Sequence, residues 1–311
     1  MTVATVPASS PGAARSTPSQ TPLRRALRSF FEQRTARVGL LIFGILLVAA
    51  IGADVFASYS PVDVLVGVEP GAKRLAGPCI NLFGCTGPQH IFGLDGNVRD
   101  VFSRVLHGAR LSLQVGVITV GFAIVLGTLI GAVAGFVGGW VDNILMRLMD
   151  VLLAFPSLLL AIAIVTVIGP GLLNAQLAIG IVAIPVYARV MRASVLGLRD
   201  REFVSASRAL GASEAAILFG KVLPNALTPI IVQGTLGIAG AILDVAALNF
   251  LGLGAQPPIP EWGSMIGGDR DLLFSSPHVV LFPGIAITLT VLAFNLIGDG
   301  LRDALDPRLQ R

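Results

Sequence analysis

Long apolar runs without charge alternate along the chain with short polar, charged segments. Val38 to Ala53 is the first run, extending past Asp54 to about Ala57, and Leu111 to Val141 is the second. Val151 to Ala188 contains no Asp, Glu, Lys, Arg or His over 38 residues. That is too long for one membrane crossing, and Gly169-Pro170-Gly171 supplies a break. Val222 to Leu243 follows, continuing past Asp244 to Pro260, and the last run is Val279 to Gly298. A helix needs about 20 mostly apolar residues to cross a hydrocarbon core about 30 Å thick. The pattern therefore predicts six spanning helices. A closed β-barrel would show short alternating segments instead.

Composition agrees with an all-α integral membrane protein. Hydrophobic residues make up 54% of the 311 and charged residues 13%. The mean hydropathy of +0.82 leaves too little polar surface to cover a soluble core. Net charge is +4, carried by 20 Arg and 2 Lys against 18 acids. With the N-terminus inside, sixteen basic residues fall in inner segments and six in outer ones. This bias predicts that both termini are cytoplasmic.

These signals divide the chain. Residues 1–37 read as a cytoplasmic basic tail whose first 22 residues, rich in Ser, Thr, Pro and Ala, are disordered. Residues 38–57 form the first helix, uncleaved, because its apolar stretch begins too late and runs too long for a secretory signal. Residues 58–110 form an extracytoplasmic loop. Residues 111–298 hold five helices and a cytoplasmic loop at 199–224, and 299–311 form a cytoplasmic tail. The second outer loop, Ala255 to Pro277, carries Pro257, Pro258, Pro260 and Trp262. It reads either as a proline-stiffened connector or as a segment that dips back or docks a partner.

No enzyme motif is present. Gly220-Lys221 resembles a phosphate loop only superficially, since Ala215 and Val222 stand where Gly and Ser/Thr are needed. His90, His107 and His278 lack metal-ligand spacing, and no Gly-x-Ser-x-Gly elbow occurs. Any energetic work must draw on hydrolysis by a partner. Gly127, Gly131 and Gly135 recur every fourth residue, a spacing for close helix packing, with Gly234, Gly237 and Gly240 a weaker parallel. Asp244 is the acid set deep in an apolar run. It reads either as a translocation-path residue or as a structural hydrogen-bonding group. Cys79 and Cys85, with five residues between them and placed on the extracytoplasmic side, are candidates for a disulfide, against two free thiols.

The 199–224 loop is the most informative segment. Glu202 to Leu210 is patterned as a short helix with Phe203, Ala206 and Leu210 on one face, ended by Gly211. Its spacing resembles the permease loop of bacterial ABC importers: Glu-Ala-Ala, three residues, Gly, nine residues, Ile-x-Leu-Pro. Ser205, Ala206 and Ser207 fall on the triplet, Gly211 on the glycine, and Leu223-Pro224 on the end, with Ser205 replacing the Glu and Lys221 the Ile. Arg99-Asp100-Val101-Phe102-Ser103-Arg104 with Gly108-Ala109-Arg110-Leu111-Ser112 is similar to peptide/nickel-type permeases. So are Met149 to Ser157, Phe250-Leu251-Gly252-Leu253-Gly254, and Gly298-Asp299-Gly300-Leu301-Arg302-Asp303-Ala304-Leu305-Asp306-Pro307. The resemblance covers about Thr35 to Arg311 and is to the C-type permease of dipeptide and oligopeptide importers. The chain departs from it at Leu94 to Asp100, at Asp244-Val245, and in the length of the cysteine loop.

The resemblance implies the type I ABC importer permease fold in a bacterial inner membrane, embedded in lipid. It implies a homologous permease subunit, two ABC ATPase subunits and an extracytoplasmic peptide-binding protein as partners, and no nucleic acid. ATP would be bound by the ATPases, this chain carrying no cofactor. Ser205, Ala206, Ser207, Gly211, Leu223 and Pro224 would couple to the ATPases, and Asp244 would line the path. A nickel or other small-solute importer of the same family is one alternative. A secondary transporter is the other, and it predicts internal repeats and several intramembrane ionisable groups.

Overall fold

The structure, a computed structural model, describes residues 22–305. Residues 1–21 of the 22 expected to be disordered, and the Asp306-Pro307 end of the last motif, lie outside the described residues. From Pro22 the expected tail is helical, and the first span begins at Arg34 rather than Val38. Helices α1 (Pro22–Glu32), α2 (Arg34–Ile51) and the single turn α3 (Ala53–Phe56) lead to the first long loop. Then come α4 (Val101–Val137), α5 (Gly139–Leu153), α6 (Ser157–Ile168) and α7 (Leu172–Leu198). The next loop holds α8 (Glu202–Ala209), α9 (Glu214–Ile217) and α10 (Leu223–Ala226), followed by α11 (Thr228–Phe250), α12 (Trp262–Asp269) and α13 (His278–Leu305). Among the described residues, α2, α4, α7, α11 and α13 are long and apolar enough to span a membrane. Counting the bent pair α5–α6 as one span gives six.

The second span begins at Val101, ten residues before its uncharged run. The outer loop expected over 58–110 thus ends at Asp100, whose carboxylate caps α4 by accepting from the Ser103 amide at 2.7 Å. Charges in the first turns do not stop the helix, because each finds a partner. Arg104 Nη1 donates to the carbonyls of Pro61 (2.8 Å) and Pro258 (3.2 Å). Arg110 Nη2 donates to Asp54 Oδ2 and to the Ile51 carbonyl, each at 2.8 Å.

The third span is broken where the sequence suggested continuity. Val151 to Leu153 close α5, and the chain turns 90° before α6. Pro156 explains the turn: it has no N–H to donate and disfavours helix at Phe155. With 12 residues, α6 reaches only about 18 Å and cannot cross alone. The Gly169-Pro170-Gly171 break stands between α6 and α7 as expected, with positive φ at both glycines. The fifth span stops at Phe250 rather than Pro260, turned by Gly252 at φ +78°. The last helix runs on to Leu305, through residues read as a tail.

Helices α4 and α7 form the centre of the bundle. Gly127, Gly131 and Gly135 let α4 approach the α7 backbone, so this stripe packs within the chain. A Cβ at Gly127 would meet Ile184 O at 2.8 Å, and one at Gly135 would meet Arg192 O at 2.9 Å. Ala123, Ala132, Tyr187, Ala188, Met191 and Val195 fill the surrounding core. Two ion pairs tie α5 to α7: Arg192 to both oxygens of Asp142 (2.5 and 2.6 Å) and Arg189 to Asp150 (2.6 Å). A second core joins the early half of α4 to α11, α12 and α13 around Trp262, Met265, Val279 and Phe294.

The loop read over Ala255 to Pro277 packs into the bundle through α12. Trp262 is 1% exposed and its indole N–H donates to the Val105 carbonyl at 3.0 Å. Gly263 and Gly267 set α12 against the α11 backbone at Ala246 and Phe250.

Candidate functional site

A cavity of about 230 Å³ opens between α4, the α5–α6 bend, α7 and α11. Val120, Leu152, Leu153, Phe155, Ile179 and Val182 make its walls apolar. On α11, Gln233, Gly237, Gly240 and Asp244 follow at spacings of four, three and four, which places them along one helix face. Asp244 is half-buried and lines this cavity. Tyr187 of α7 reaches across Gly237, where its hydroxyl occupies the space a Cβ would need. Gly240 has no neighbour within 4 Å of such a Cβ, so it opens the wall instead of packing it. Gln233 and Tyr187 were not singled out by sequence. Their neighbourhood depends on how two helices far apart in the chain face each other.

The 199–224 loop folds into short helices joined by a left-handed turn. Val204 is fully buried and anchors α8 to the main core together with Ile217, Leu218 and Val222. Phe203, Ala206 and Leu210, the apolar face read from the pattern, point away from the protein, and Leu210 is 89% exposed. Ser205 is also exposed and Ser207 half-buried, its hydroxyl donating to the Phe203 carbonyl at 2.7 Å. Gly211 follows α8 with φ +84° and nothing near a Cβ. The Gly211 amide donates to Arg208 O (3.0 Å) and the Ala212 amide to Ser207 O (3.1 Å), satisfying carbonyls at the helix end. Arg208 then clamps Glu214 through two bonds of 2.6 and 2.9 Å, holding its carboxyl below the usual range. Leu223 is half-buried and Pro224 exposed in the first turn of α10. The site residues named from sequence therefore form three groups at different places, Asp244 in the cavity, six on the loop, and Cys79 with Cys85 in the first long loop.

The long loop carries a structural centre. Cys79 and Cys85 are joined by a disulfide with Cα atoms 5.5 Å apart. Cys79 pairs with His90 through backbone bonds of 2.8 and 3.0 Å. The His90 ring lies between Asp100 Oδ1 (3.0 Å) and Glu69 Oε2 (3.2 Å). Tyr59 donates to Glu69 Oε1 at 2.9 Å, and burial, reinforced by that carboxylate, pushes the Tyr59 hydroxyl up to about 12. A second cleft, of about 360 Å³, lies between this loop and α12, with Arg74, Arg99, Arg104 and Asp269 in its lining.

Glu261 is a further buried acid, which the pattern of the sequence does not single out. It is 3% exposed, caps α12 by accepting from the Ser264 amide at 2.9 Å, and accepts from the Ser112 hydroxyl of α4 at 3.2 Å. Burial pushes its carboxyl up.

Comparisons with known proteins agree with this architecture. Residues 127–311 match the family described as binding-protein-dependent transport system inner membrane component. Residues 21–78 match the N-terminal TM domain of oligopeptide transport permease C. The dipeptide transport system permease protein DppC of Alkalihalophilus pseudofirmus is 47% identical over 93% of this chain and 91% of its own length. The di/tripeptide transport system permease protein DppC of Pseudomonas aeruginosa is 46% identical over 93% of each chain. The glutathione transport system permease protein GsiD of Pectobacterium atrosepticum is 41% identical over 94% and 93%. A chain of the MetNI methionine ABC transporter, solved in inward facing conformations, has a TM-score of 0.53 at 18% identity, covering 65% of this chain and 97% of that one. This last likeness is one of fold. Such a component works with an ATPase and a binding protein and is itself no catalyst. The chain thus belongs to the binding-protein-dependent transport system inner membrane components, as an oligopeptide permease C-type, multi-pass subunit of a bacterial ABC importer.

Proposed function

We propose that this permease forms half of the path of an importer for short peptides. One observation carries the substrate class. Relatives at 41–47% identity over more than nine-tenths of the chain handle dipeptides, tripeptides or glutathione, all of them short peptides. The cavity supports the reading, since apolar walls with few polar groups suit cargo of varied side chains. Its lining contains no His, Cys or Met, so it offers no soft or imidazole ligand for nickel.

In this reading a homologous permease completes the path, two ATPases bind from the cytoplasm, and a peptide-binding protein delivers cargo outside. The 199–224 loop is the ATPase contact. Phe203, Ala206 and Leu210 supply the apolar knob, Gly211 sets the turn behind it, and Ser205, Ser207, Leu223 and Pro224 border it. ATP-driven closure of the ATPases moves this loop and reorients the helices around the cavity. The test is uptake by liposomes carrying the complete transporter. ATP-dependent import of a labelled dipeptide is expected. Import of nickel ions with no import of any peptide overturns the substrate class.

A further inference from the structure

Asp244, Tyr187 and Gln233 share the cavity, and among the described residues none of the three side chains has a hydrogen-bond or ion-pair partner. Tyr187 is 2% exposed, a degree of burial at which a phenol ordinarily finds a partner. Its hydroxyl lies over Gly237, on the side that lines the cavity. Asp244 is a carboxylate at membrane depth, costly unless something supplies positive charge or hydrogen bonds. Among the described residues none supplies the charge. Arg189 and Arg192 of α7 are already bound to Asp150 and Asp142.

The missing cation has one chemical source common to all free peptides, the N-terminal α-ammonium. A carboxylate can accept from its three protons, while a phenol hydroxyl and a neutral amide can both donate to and accept from peptide groups. Gly237, beneath the Tyr187 hydroxyl, lies seven residues along α11 from Asp244, about 10 Å along the axis, and Gln233 four residues further. The first distance matches a short extended peptide at about 3.3–3.6 Å per residue. Resting on the peptide reading above, we infer that Asp244 forms a subsite for the α-ammonium group of the peptide in transit, with Tyr187, and Gln233 for longer cargo, facing its backbone.

The test uses the permease–ATPase complex purified without the binding protein, so that selection by that protein does not contribute. The probes are the photoreactive dipeptide alanyl-4-benzoylphenylalanine and its N-acetyl derivative. The free-amine form is expected to label this chain at least about tenfold more strongly, the scale of one charge-assisted hydrogen bond. Asp244→Asn should bring labelling down to that of the acetylated probe, and Asp244→Glu should restore most of the difference. Tyr187→Phe should weaken labelling by both probes alike, since the backbone is common to them. If the Asn variant does not assemble, the ratio of free-amine to acetylated labelling in the unmodified complex decides the matter. An assembled Asp244→Asn complex that labels like the unmodified one overturns the subsite, and so does equal labelling of the unmodified complex by the two probes. ATP-dependent import of the same dipeptide separates the two levels. Import with unchanged labelling in the variants removes only the subsite. Absence of import of this or any other peptide by the unmodified transporter removes the peptide reading and the subsite with it.

Discussion

Gly131 of α4 rests directly on the backbone of Ala188 in α7, and a Cβ at Gly131 would overlap the Ala188 carbonyl group. Backbone cannot yield as a flexible side-chain end can, so Gly131→Ala should force α4 and α7 apart. Overpacking of this kind costs about 1–3 kcal/mol. Gly121→Ala is the control on the same helix, where nothing lies within 4 Å of the added carbon. Thermal unfolding in detergent should show a lowered midpoint for Gly131→Ala and little change for Gly121→Ala. Equal midpoints would remove the packing role of the stripe.

At Gly211 the backbone is the whole issue, since no atom would crowd a side chain there. Its φ of +84° resists β-branched residues, at a cost on the order of 1–3 kcal/mol, whereas Asn tolerates this region. Gly211→Val should leave the protein inserted in the membrane but lose the ATPases on purification, and peptide uptake with them. Gly211→Asn should retain both. Full ATPase recovery with Val in place would count against the coupling role.

Burial raises the Glu261 carboxyl above its ordinary value of 4.5, which means the fold prefers the neutral acid. Glu261 therefore favours the folded state most fully below about 4.5, and that contribution is lost as pH climbs through the raised value. Glu261→Gln keeps an acceptor for the Ser264 amide without a charge, and its amide can donate to the Ser112 oxygen in place of accepting from it. Melting curves between pH 5 and pH 8 should show the unmodified protein losing stability relative to the Gln variant as pH rises. A parallel decline in both proteins would refute this.

The disulfide closes a short loop, for which chain-entropy arguments give about 2 kcal/mol. Replacing Cys79 and Cys85 by Ser should destabilise the outer loop by about that amount. The helices should remain inserted, because their long apolar runs hold them in the membrane with or without the bridge. Without reductant, neither cysteine should react with an alkylating reagent in the unmodified protein. Alkylation of both would show that no bridge forms.

The spans were legible because long uncharged apolar runs have few alternatives to a membrane helix. Their ends were not. Arg104 and Arg110 looked like loop residues, yet helix α4 runs through them since Pro61, Pro258 and Asp54 answer their charge from elsewhere in the chain. Pro156 sat inside an apolar run and gave little hint of a right-angle turn. The 202–210 helix and its glycine stop were readable from local pattern alone. The direction of its apolar face was not, because Val204 rather than Phe203 meets the core. Asp244 stood out as a charge among apolar residues, while its neighbours Tyr187 and Gln233 became visible only once α7 and α11 faced each other.

Helix α4 has 37 residues and so extends about 55 Å, nearly twice the thickness of the hydrocarbon core. At one end Gly135 lies against Arg192, close to the loop proposed to meet the ATPases. At the other, Asp100 holds His90, and Ser112 and Val105 hold Glu261 and Trp262. A continuous rod of this length acts as a lever: pivoting by about 10° at its inner end sweeps its outer end through about 10 Å. The outer loop would ride on that movement as a rigid flag. The surface offered to a delivering protein would then shift in step with events on the far side of the membrane, without any relay of local rearrangements between them.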